Sequence, residues 1–265
     1  MTAQRSLSDI KAFITDMDGT LYVSDHLIPG AAEFISLLRE RNYPFLFLTN
    51  NSSARAVTFR DRLRRLGIPA ENEEILTSGA ATAHHLKTAT SHQRIFLMGT
   101  PALREEFEES GFTLADEGAA DCVVIGFDKT LTYERLKRAC LLVADGAPYY
   151  ATHPDHTCIT DEGLIPDTGS FIAAIETVTN RTPKIIGKPE REMVEAALAR
   201  VGHPASNTAM VGDQLDTDMT MAQRAGLFGV LVFTGETSRE KAAGQSEVVP
   251  DLALGSVAEL VERLR

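Results

Sequence analysis

The stretch that decides the fold is residues 11–21, which read KAFITDMDGTL. Its first five residues form a short run of high β-propensity, and this run ends at Asp16. Two carboxylates two residues apart, followed by Gly19, therefore stand directly where a predicted strand ends. At such a position one carboxylate can act as a nucleophile and the other as a general acid and base. The alternative interpretation is a solvated turn rich in aspartate.

Strands and helices alternate outward from this stretch. Pro29 and Gly30 precede a helical pattern over 31–41, a second apolar run follows at 45–48, and a second helical pattern spans 53–66. Continuous apolar strands that alternate with amphipathic helices are typical of a parallel sheet covered by helices. The last third repeats the alternation, with strands predicted over 184–186, 208–211 and 229–233 and helices over 189–201, 218–225 and 256–265.

The middle of the chain has its own strands and helices. The predicted strands span 95–98, 122–127 and 149–151, and the predicted helices span 103–110, 133–144 and 170–180. This stretch is long enough to form a separate α/β domain. We therefore predict an α/β protein with a Rossmann-like, doubly wound parallel-sheet core made of residues 1–81 and 183–265. An α/β cap domain is predicted to be inserted at 82–182.

Composition excludes several classes of protein. Apolar residues make up 43% and charged residues 24% of the 265 residues, which rules out a mainly disordered chain. The formal net charge of −11 disfavours nucleic acid and anionic membranes as partners. Residues 1–8 lack the apolar segment of a signal peptide, and no apolar run reaches the length of a membrane span. We expect a soluble cytoplasmic protein.

The three cysteines carry no predicted chemistry of their own. Cys122, Cys140 and Cys158 are far apart and odd in number, which argues against a disulfide framework or a structural zinc site. Cys122 and Cys140 lie in strand and helix patterns and are most simply core residues. Two histidines, His84 and His85, are predicted at an exposed helix start, and no chemistry is assigned to them.

Three further polar segments follow predicted strands. They are the segments 49–52 (TNNS), 187–189 (GKP) and 212–218 (GDQLDTD). In open parallel sheets, ligands bind beyond the carboxyl ends of the strands. The sequence therefore predicts that all four polar segments, including the one that begins at Asp16, meet at one edge of the sheet.

Each of these segments suits the binding of a phosphate or a cation. The hydroxyls and amides of 49–52 can donate to a phosphate, whereas an ordinary N-cap formed by Ser52 or Ser53 is the alternative. Lys188 can neutralise phosphate as a point charge, and a solvated surface lysine is its alternative. The three carboxylates within 212–218 suit Mg²⁺, which prefers oxygen ligands. Charged capping of the following helix is the alternative there.

Together the patterns DxDGT, TNNS, GKP and GDxxxTD resemble, in order and separation, the haloacid dehalogenase-like (HAD) hydrolase superfamily. The likeness is to subfamily IIA, the branch of NagD and p-nitrophenyl phosphatase-like enzymes. This branch has a large C2-type α/β cap between the second and third motifs. The resemblance covers nearly the whole chain and includes the cap stretches 99–101 (GTP), 126–128 (GFD) and 153–155 (HPD).

The resemblance implies roles for five residues of the core motifs. Asp16 looks like the nucleophile that becomes an aspartyl phosphate, and Asp18 looks like the general acid and base. Lys188 resembles the lysine that holds Asp16 and the phosphoryl oxygens. Asp213 looks like a Mg²⁺ ligand, together with the side chain of Asp16 and the backbone carbonyl of Asp18. Asp218 resembles the acid that supports the metal site.

Substrate contacts are implied for the second motif and for the cap. Thr49 and Asn50 resemble the phosphate-orienting residues of the family, and Asn51 is predicted to bind substrate with them. In the cap, the best candidate for a specificity loop spans 153–158, before a predicted turn at 163–166. The alternative interpretation of residues 153–158 is a loop that is merely exposed. Their spacing is not that of a metal site.

Three acidic or histidine side chains near these segments have weaker predictions. Asp155 and His156 are the candidate substrate contacts within the cap loop. Asp216 matches no fixed position of the family, and we predict that it is simply solvated.

The leading functional hypothesis is a Mg²⁺-dependent phosphatase that hydrolyses small phosphomonoesters such as sugar phosphates or nucleotides. One alternative is a phosphotransferase or mutase that acts on phosphorylated sugars, and another is a phosphatase specific for phosphoglycolate or pyridoxal phosphate. A non-catalytic binding protein is a third, although all the catalytic groups are present. The expected partner is a small phosphorylated metabolite. Related capped enzymes often dimerise through the cap, so the resemblance suggests a homodimer of that kind.

Overall fold

The computed structural model describes residues 5–160, 162–244 and 247–265, and all structural statements concern these residues. The strands are β1 (Ala12–Thr15), β2 (Tyr22–Val23), β3 (His26–Leu27), β4 (Phe45–Thr49), β5 (Ile75–Thr77), β6 (Arg94–Met98), β7 (Thr113–Leu114), β8 (Cys122–Ile125), β9 (Tyr149–Ala151), β10 (Thr157–Thr160), β11 (Gly163–Pro166), β12 (Lys184–Ile185), β13 (Thr208–Gly212), β14 (Phe228–Val232) and β15 (Leu252–Leu254). The α-helices are α1 (Ala31–Glu40), α2 (Ala56–Arg65), α3 (Ser78–Ala89), α4 (Pro101–Glu109), α5 (Tyr133–Ala144), α6 (Thr168–Thr179), α7 (Arg191–Val201), α8 (Thr220–Ala225), α9 (Arg239–Gly244) and α10 (Val257–Leu264). Residues 1–4 of the polar start, and residues 161, 245 and 246 of the predicted domain ranges, lie outside the described residues.

The chain divides into two compact units, each with its own sheet. The first unit consists of the residues up to Thr49, of Phe59–Leu76 and of Val194–Arg265. The second unit consists of Asn50–Thr58 and Thr77–Met193. In sequence, the second unit therefore interrupts the first at two places. The boundaries of a functional cap at 82 and 182 stay a prediction.

The first unit contains a six-stranded sheet with the order β15-β14-β13-β1-β4-β5. Strand β1 pairs in parallel with β13 and β4, and β14 pairs in parallel with β13 and β15. Every residue of β1, β13 and β14 is buried. Strands that are covered on both faces have no polar side, which explains why their sequences are continuously apolar. The predicted Rossmann-like, parallel α/β fold is confirmed.

The strand order reverses between β1 and β13. From β1 the chain continues outward through β4 to β5, and from β13 it continues in the other direction through β14 to β15. Open parallel sheets bind ligands at such a switch point, beyond the carboxyl ends of the strands. Thr15 is in register with Val211, so the segments that begin at Asp16 and Gly212 leave the sheet side by side.

The second unit is itself an α/β structure. Its five-stranded sheet has the order β12-β9-β8-β6-β7, and all four pairings are parallel. One side of the sheet packs on α3 and α4 through residues such as Leu86 and Phe107, and the other packs on α5 and α6 through Ala139 and Ile175. Strands β10 and β11 form a separate antiparallel hairpin.

One topological prediction is wrong. The strand before the GKP segment was predicted in the core sheet, but β12 pairs with β9 in the sheet of the second unit. The four polar segments therefore do not all follow strands of one sheet. A strand of two residues carries no pattern that selects one sheet over another, so its pairing depends on tertiary contacts.

The structure corrects three local predictions. Residues 163–166 form strand β11 and not a turn, because β10 pairs with them despite the turn-forming Gly163 and Pro166. The α-helix predicted to begin at residue 218 begins at Thr220, because residues Leu215–Met219 before it form a π-helical segment. His84 and His85 lie in the middle of α3 and not at a helix start.

The remaining bulk features are simple. Cys122 and Cys140 are free thiols, and burial raises the pKa of Cys122 to about 12, as expected for a core residue. Across the described ranges, no helix has both the length and the apolar character that crossing a bilayer would require.

Candidate active site

Three carboxylates converge beyond the ends of β1 and β13. One carboxylate oxygen from each of Asp16, Asp213 and Asp218 lies within 4.8 Å of the others. Their exposed fractions are 6%, 1% and 0%, so all three are buried. Buried like charges repel one another strongly unless a counter-charge accompanies them. Because hard divalent cations prefer oxygen ligands, this cluster fits the predicted Mg²⁺.

The carboxylate of Asp213 is held on both of its oxygens. The hydroxyl of Thr20 donates to Oδ1 at 3.2 Å, and the backbone N–H of Glu236 donates to Oδ2 at 2.7 Å. Asp218 accepts a hydrogen bond from the backbone N–H of Gln214 at 3.1 Å. These contacts orient the two carboxylates before any ligand binds.

Two glycines make room for Asp213. Gly19 has a φ of +80°, and a Cβ at this position would lie 2.5 Å from Oδ2 of Asp213. A Cβ at Gly235 would lie 2.0 Å from the same atom. Both separations are far shorter than a van der Waals contact, so any side chain at either position would displace the carboxylate. Gly235 was not predicted, because it lies outside the four motifs.

Asp18 differs from Asp16 in its environment, since half of its side chain is exposed. The hydroxyl of Tyr22 donates to its Oδ2 at 3.2 Å, and Nη1 of Arg62 lies 3.8 Å from its Oδ1. Burial and the neighbouring Asp18 carboxylate raise the pKa of Tyr22 well above its usual range, so this phenol remains a donor. An accessible carboxyl with fixed neighbours suits the exchange of protons with a substrate.

Arg62 was missed by the sequence analysis. Its guanidinium carbon lies 4.4 Å from the ring centroid of Tyr22, and its Nη2 donates to the carbonyl of Ser24 at 2.5 Å. Arg62 therefore contacts both the turn of the β2–β3 hairpin and the carboxylate of Asp18. Helix α2 contains four arginines, and nothing in their sequence spacing separates this one from the others.

In the second unit, Asn50 and Lys188 are joined although they lie 138 positions apart. The backbone N–H of Lys188 donates to Oδ1 of Asn50 at 2.8 Å, and Nδ2 of Asn50 donates to the carbonyl of Lys188 at 3.1 Å. Both residues are buried. Parts of the second and third motifs thus meet, even though β12 belongs to the sheet of the second unit. Thr49, the last residue of β4, is buried as well.

Ser52, the last residue of the TNNS segment, and the following Ser53 contact two of the cap stretches that the resemblance singled out. The hydroxyl of Ser52 accepts from the backbone N–H of Phe127 and shares a hydrogen bond with Thr152, both at 2.9 Å. The hydroxyl of Thr100 donates to the carbonyl of Ser53 at 2.9 Å. Helix α2 begins only at Ala56, so the interpretation of Ser52 or Ser53 as its N-cap is wrong.

Asn51 closes a local turn with its side chain. Its Oδ1 accepts from the backbone N–H of Ser53 at 2.9 Å and from the hydroxyl of Ser53 at 2.8 Å. In the last motif, Asp216 is exposed, with Nζ of Lys241 at 3.4 Å, and the prediction that it is solvated is confirmed.

The predicted specificity loop 153–158 belongs to the second unit, and its first residue is buried there. His153 is completely buried, and its Nδ1 lies 3.3 Å from Oδ2 of Asp155. Its Nε2 lies 3.4 Å from Oδ1 of Asp167 and 3.0 Å from the hydroxyl of Thr168. His156 is exposed, as the loop interpretation requires, whereas His153 is not.

His153, Asp155 and Asp167 shift one another's pKa values. Burial disfavours the charged imidazole of His153, but the carboxylates of Asp155 and Asp167 outweigh it and raise the pKa above 6.5. Burial alone would raise the pKa of Asp155, yet His153 and the charge of Lys188 hold it below its ordinary value. Burial raises the pKa of Asp167. A buried histidine with a raised pKa therefore lies between two acids, one of which contacts Asn50.

Comparison with known proteins agrees with this geometry. The family model described as haloacid dehalogenase-like hydrolase matches residues 13–113, and a second, described as HAD-hydrolase-like, matches residues 185–260. The chain is 36% identical over 251 residues to the 5'-nucleotidase YutF of Bacillus subtilis strain 168, covering 95% of this chain and 97% of that protein.

Solved structures show the same likeness. The 4-nitrophenylphosphatase of Thermotoga maritima is 45% identical, with a TM-score of 0.92 over 97% of this chain and 98% of that chain. NagD from E. coli K-12 is 32% identical, with a TM-score of 0.88 over 94% of this chain and 98% of that chain.

The parallel sheet and the acidic cluster at its switch point define a hydrolase with a candidate metal centre. The chain belongs to the haloacid dehalogenase-like hydrolases, and within them to the phosphatases that resemble NagD and p-nitrophenylphosphatase. The resemblance predicted from the four motifs is confirmed.

Proposed function

We propose that this chain is a Mg²⁺-dependent phosphatase that hydrolyses small phosphomonoesters through an aspartyl phosphate formed on Asp16. The observation that carries the proposal is the buried cluster of Asp16, Asp213 and Asp218 beyond β1 and β13. A chain of this family with this cluster at its switch point has the nucleophile and the candidate metal ligands adjacent to one another.

The proposed reaction has two steps at Asp16. Its carboxylate attacks phosphorus, and the ester oxygen leaves with a proton from Asp18. Asp18 then takes a proton from water, whose oxygen attacks the same phosphorus and releases inorganic phosphate and free Asp16. Tyr22 and Arg62 hold the carboxyl group of Asp18 for both transfers.

The proposed metal ligands are Asp213, the side chain of Asp16 and the backbone carbonyl of Asp18, with Asp218 in support. When bound, Mg²⁺ supplies positive charge that offsets the repulsion between these carboxylates and a phosphate dianion. Thr20 and the N–H of Glu236 orient the Asp213 carboxylate toward this task.

The proposed phosphate ligands are the second motif and the lysine of the third. Thr49, Asn50 and Asn51 orient the phosphoryl oxygens, and Lys188 neutralises them as a point charge. His156, which is exposed at the start of the β10–β11 hairpin, is a candidate contact for the leaving group. Asp155 was predicted as a second such contact.

The names of the relatives indicate which classes of phosphomonoester to test first. One is a 5'-nucleotidase and another is a 4-nitrophenylphosphatase. We therefore propose nucleoside 5'-monophosphates and sugar phosphates as the first classes to test. Phosphoglycolate and pyridoxal phosphate belong in the same panel as alternative substrates.

Release of inorganic phosphate tests the proposal. Purified protein is incubated with each phosphomonoester alone, with Mg²⁺ or after complete chelation, and the substrates are ranked by kcat/KM. We expect phosphate to accumulate only with the metal. Full activity after chelation would contradict the metal role, and consumption of a sugar phosphate without phosphate release would favour the phosphotransferase or mutase alternative.

The proposed setting of this enzyme is the cytoplasm, with small metabolites and not nucleic acid or membranes as partners. A homodimer through the cap is the proposed assembly. Light scattering after size exclusion measures the mass, which is 28.8 kDa for one chain.

A further inference from the structure

The amide of Asn50 can satisfy its neighbours in only one orientation. Lys188 presents a backbone N–H and a backbone carbonyl to it, at 2.8 Å from Oδ1 and 3.1 Å from Nδ2. If the amide turned over, its NH₂ group would face the N–H of Lys188, and its oxygen would face the carbonyl oxygen of Lys188. Because both residues are buried, water could not relieve that mismatch.

A carboxylate adds to this preference. The Nδ2 group of Asn50 also faces Asp155, whose Oδ2 and Oδ1 lie at 3.2 and 3.4 Å. A carboxylate only accepts hydrogen bonds, so Asp155 favours the amide nitrogen on its side and the amide oxygen on the side of the Lys188 N–H. The orientation of Asn50 thereby fixes the peptide groups around Lys188.

The carboxylate of Asp155 is itself held in place. The imidazole of His153 lies 3.3 Å from its Oδ2, and the other nitrogen of that ring lies beside Asp167 and Thr168. Burial opposes the charged form of Asp155, but the imidazole of His153 and the charge of Lys188 favour it and keep its pKa low. The side chain of Asp155 is mostly buried, with an exposed fraction of 27%.

We propose that Asp155 is a positioning residue, which orients Asn50 and the backbone of Lys188 and is itself fixed by His153. This inference rests on the proposed function, in which Asn50 and Lys188 bind the phosphoryl oxygens. It replaces the prediction that Asp155 selects the leaving group. A group that shapes the phosphate site affects every substrate equally, whereas a leaving-group contact affects substrates unequally.

The test compares Asp155→Ala with the unaltered enzyme on three esters that differ only in their leaving groups. These are 4-nitrophenyl phosphate, a nucleoside 5'-monophosphate and a sugar phosphate. Inorganic phosphate, which has no leaving group, is measured as a competitive inhibitor. We expect kcat/KM to fall by one common factor, about 10- to 100-fold, as is typical when reacting groups lose their alignment. Inhibition by phosphate should weaken in parallel.

Two further variants complete the design. Asp155→Asn keeps an oxygen that can accept from Asn50, so it should lose less than Asp155→Ala in both measurements. Asp145→Ala removes an exposed acid at the end of α5 and should leave both unchanged. Should Asp155→Ala fail to fold, judged by circular dichroism, Asp155→Asn is compared with the unaltered enzyme for the same common factor.

Three outcomes are decisive. A loss that depends on the leaving group, with phosphate inhibition unchanged, would overturn the proposal in favour of a specificity contact. Equal losses in Asp155→Asn and Asp155→Ala would overturn the hydrogen-bonding role. If the unaltered enzyme released no phosphate from any ester, the proposed function itself would fail, and this is visible before any variant is compared.

Discussion

The two buried acidic clusters of this molecule are built from different groups. In the first unit, Asp16, Asp213 and Asp218 bring three carboxylates together, and Asp213 is held by neutral donors. In the second unit, Asp155 and Asp167 lie within 3.3 and 3.4 Å of the nitrogens of a buried histidine. The second cluster thus places an imidazole between two carboxylates.

We infer that the first cluster is a ligand site and that the second has a structural role. Converging carboxylates attract a divalent cation and can then receive an anionic substrate. In the second cluster, a carboxylate beside a buried imidazole holds neighbouring groups in one geometry. Four experiments test this contrast, and the first should have the greatest effect.

Asp16→Asn should abolish most of the turnover while leaving the fold intact. An amide is a far poorer nucleophile than a carboxylate, and loss of a nucleophile lowers kcat by about 10³-fold or more. Steady-state phosphate release, with circular dichroism as a check on folding, measures the effect. Asp216→Asn, an exposed acid in the last motif, is the control. Unchanged phosphatase activity in Asp16→Asn would show that Asp16 is not the nucleophile.

His153→Leu should reduce stability rather than chemistry in the first instance. The change removes the imidazole that lies between Asp155 and Asp167 and leaves an apolar side chain beside both acids, which lowers the free energy of unfolding by about 3–5 kcal/mol. Urea unfolding measures the difference. His84→Leu, at an exposed position of α3, should change stability by less than about 0.5 kcal/mol. Equal effects of the two variants would refute the charge-pairing argument.

Mg²⁺ should stabilise the folded protein through the first cluster. A ligand at 100 times its dissociation constant adds about 2.7 kcal/mol of stability, so Tm should rise as Mg²⁺ is added. Asp213→Asn should lose this rise, and Asp216→Asn should keep it. Differential scanning calorimetry records both. A rise in Tm that survives in Asp213→Asn would place the cation elsewhere.

The stability contributed by His153 should fall as the pH rises. The folded pKa of this group is raised above 6.5, so its folded form holds the proton more tightly than the unfolded chain does. Its contribution is fully present below pH 6.5 and is lost as the pH passes through the folded pKa. The groups that set this pKa are Asp155, Asp167 and Lys188.

Unfolding of the unaltered protein and of His153→Gln, compared between pH 6 and pH 9, isolates this contribution. The difference in unfolding free energy between the two proteins should shrink toward alkaline pH. A difference that stays constant over this range would mean that His153 is not charged in the folded state.

Most of the core was predictable because it depends on local pattern. The apolar strands β1, β4, β13 and β14 and the helices between them follow hydrophobic periodicity and turn residues within a few positions. Asp16 and Asp213 could be predicted as neighbours because parallel strands bring their carboxyl ends to one edge. Short elements could not: β12 has two residues, and the sequence did not reveal which sheet it would join.

The supporting residues escaped prediction for a different reason. Tyr22, Arg62 and Gly235 contribute through contacts with groups far away in sequence, and an isolated tyrosine, arginine or glycine resembles many others. Asp155 was predicted from its motif as a substrate contact. Its partner Asn50 lies 105 positions away, so its proposed positioning role became apparent only from their contact.

The amino-acid sequence was sufficient for the fold class and the family, and it singled out the candidate residues for the chemistry. These properties are encoded in local runs: apolar strands, helix boundaries and short polar motifs whose residue types the reaction requires. Only the tertiary structure decided that β12 joins the second sheet, that His153 is buried between two acids, and that Asn50 pairs with Lys188. Those contacts depend on long-range packing and on burial, which fixes the pairing of charges, and neither can be derived from spacing along the chain.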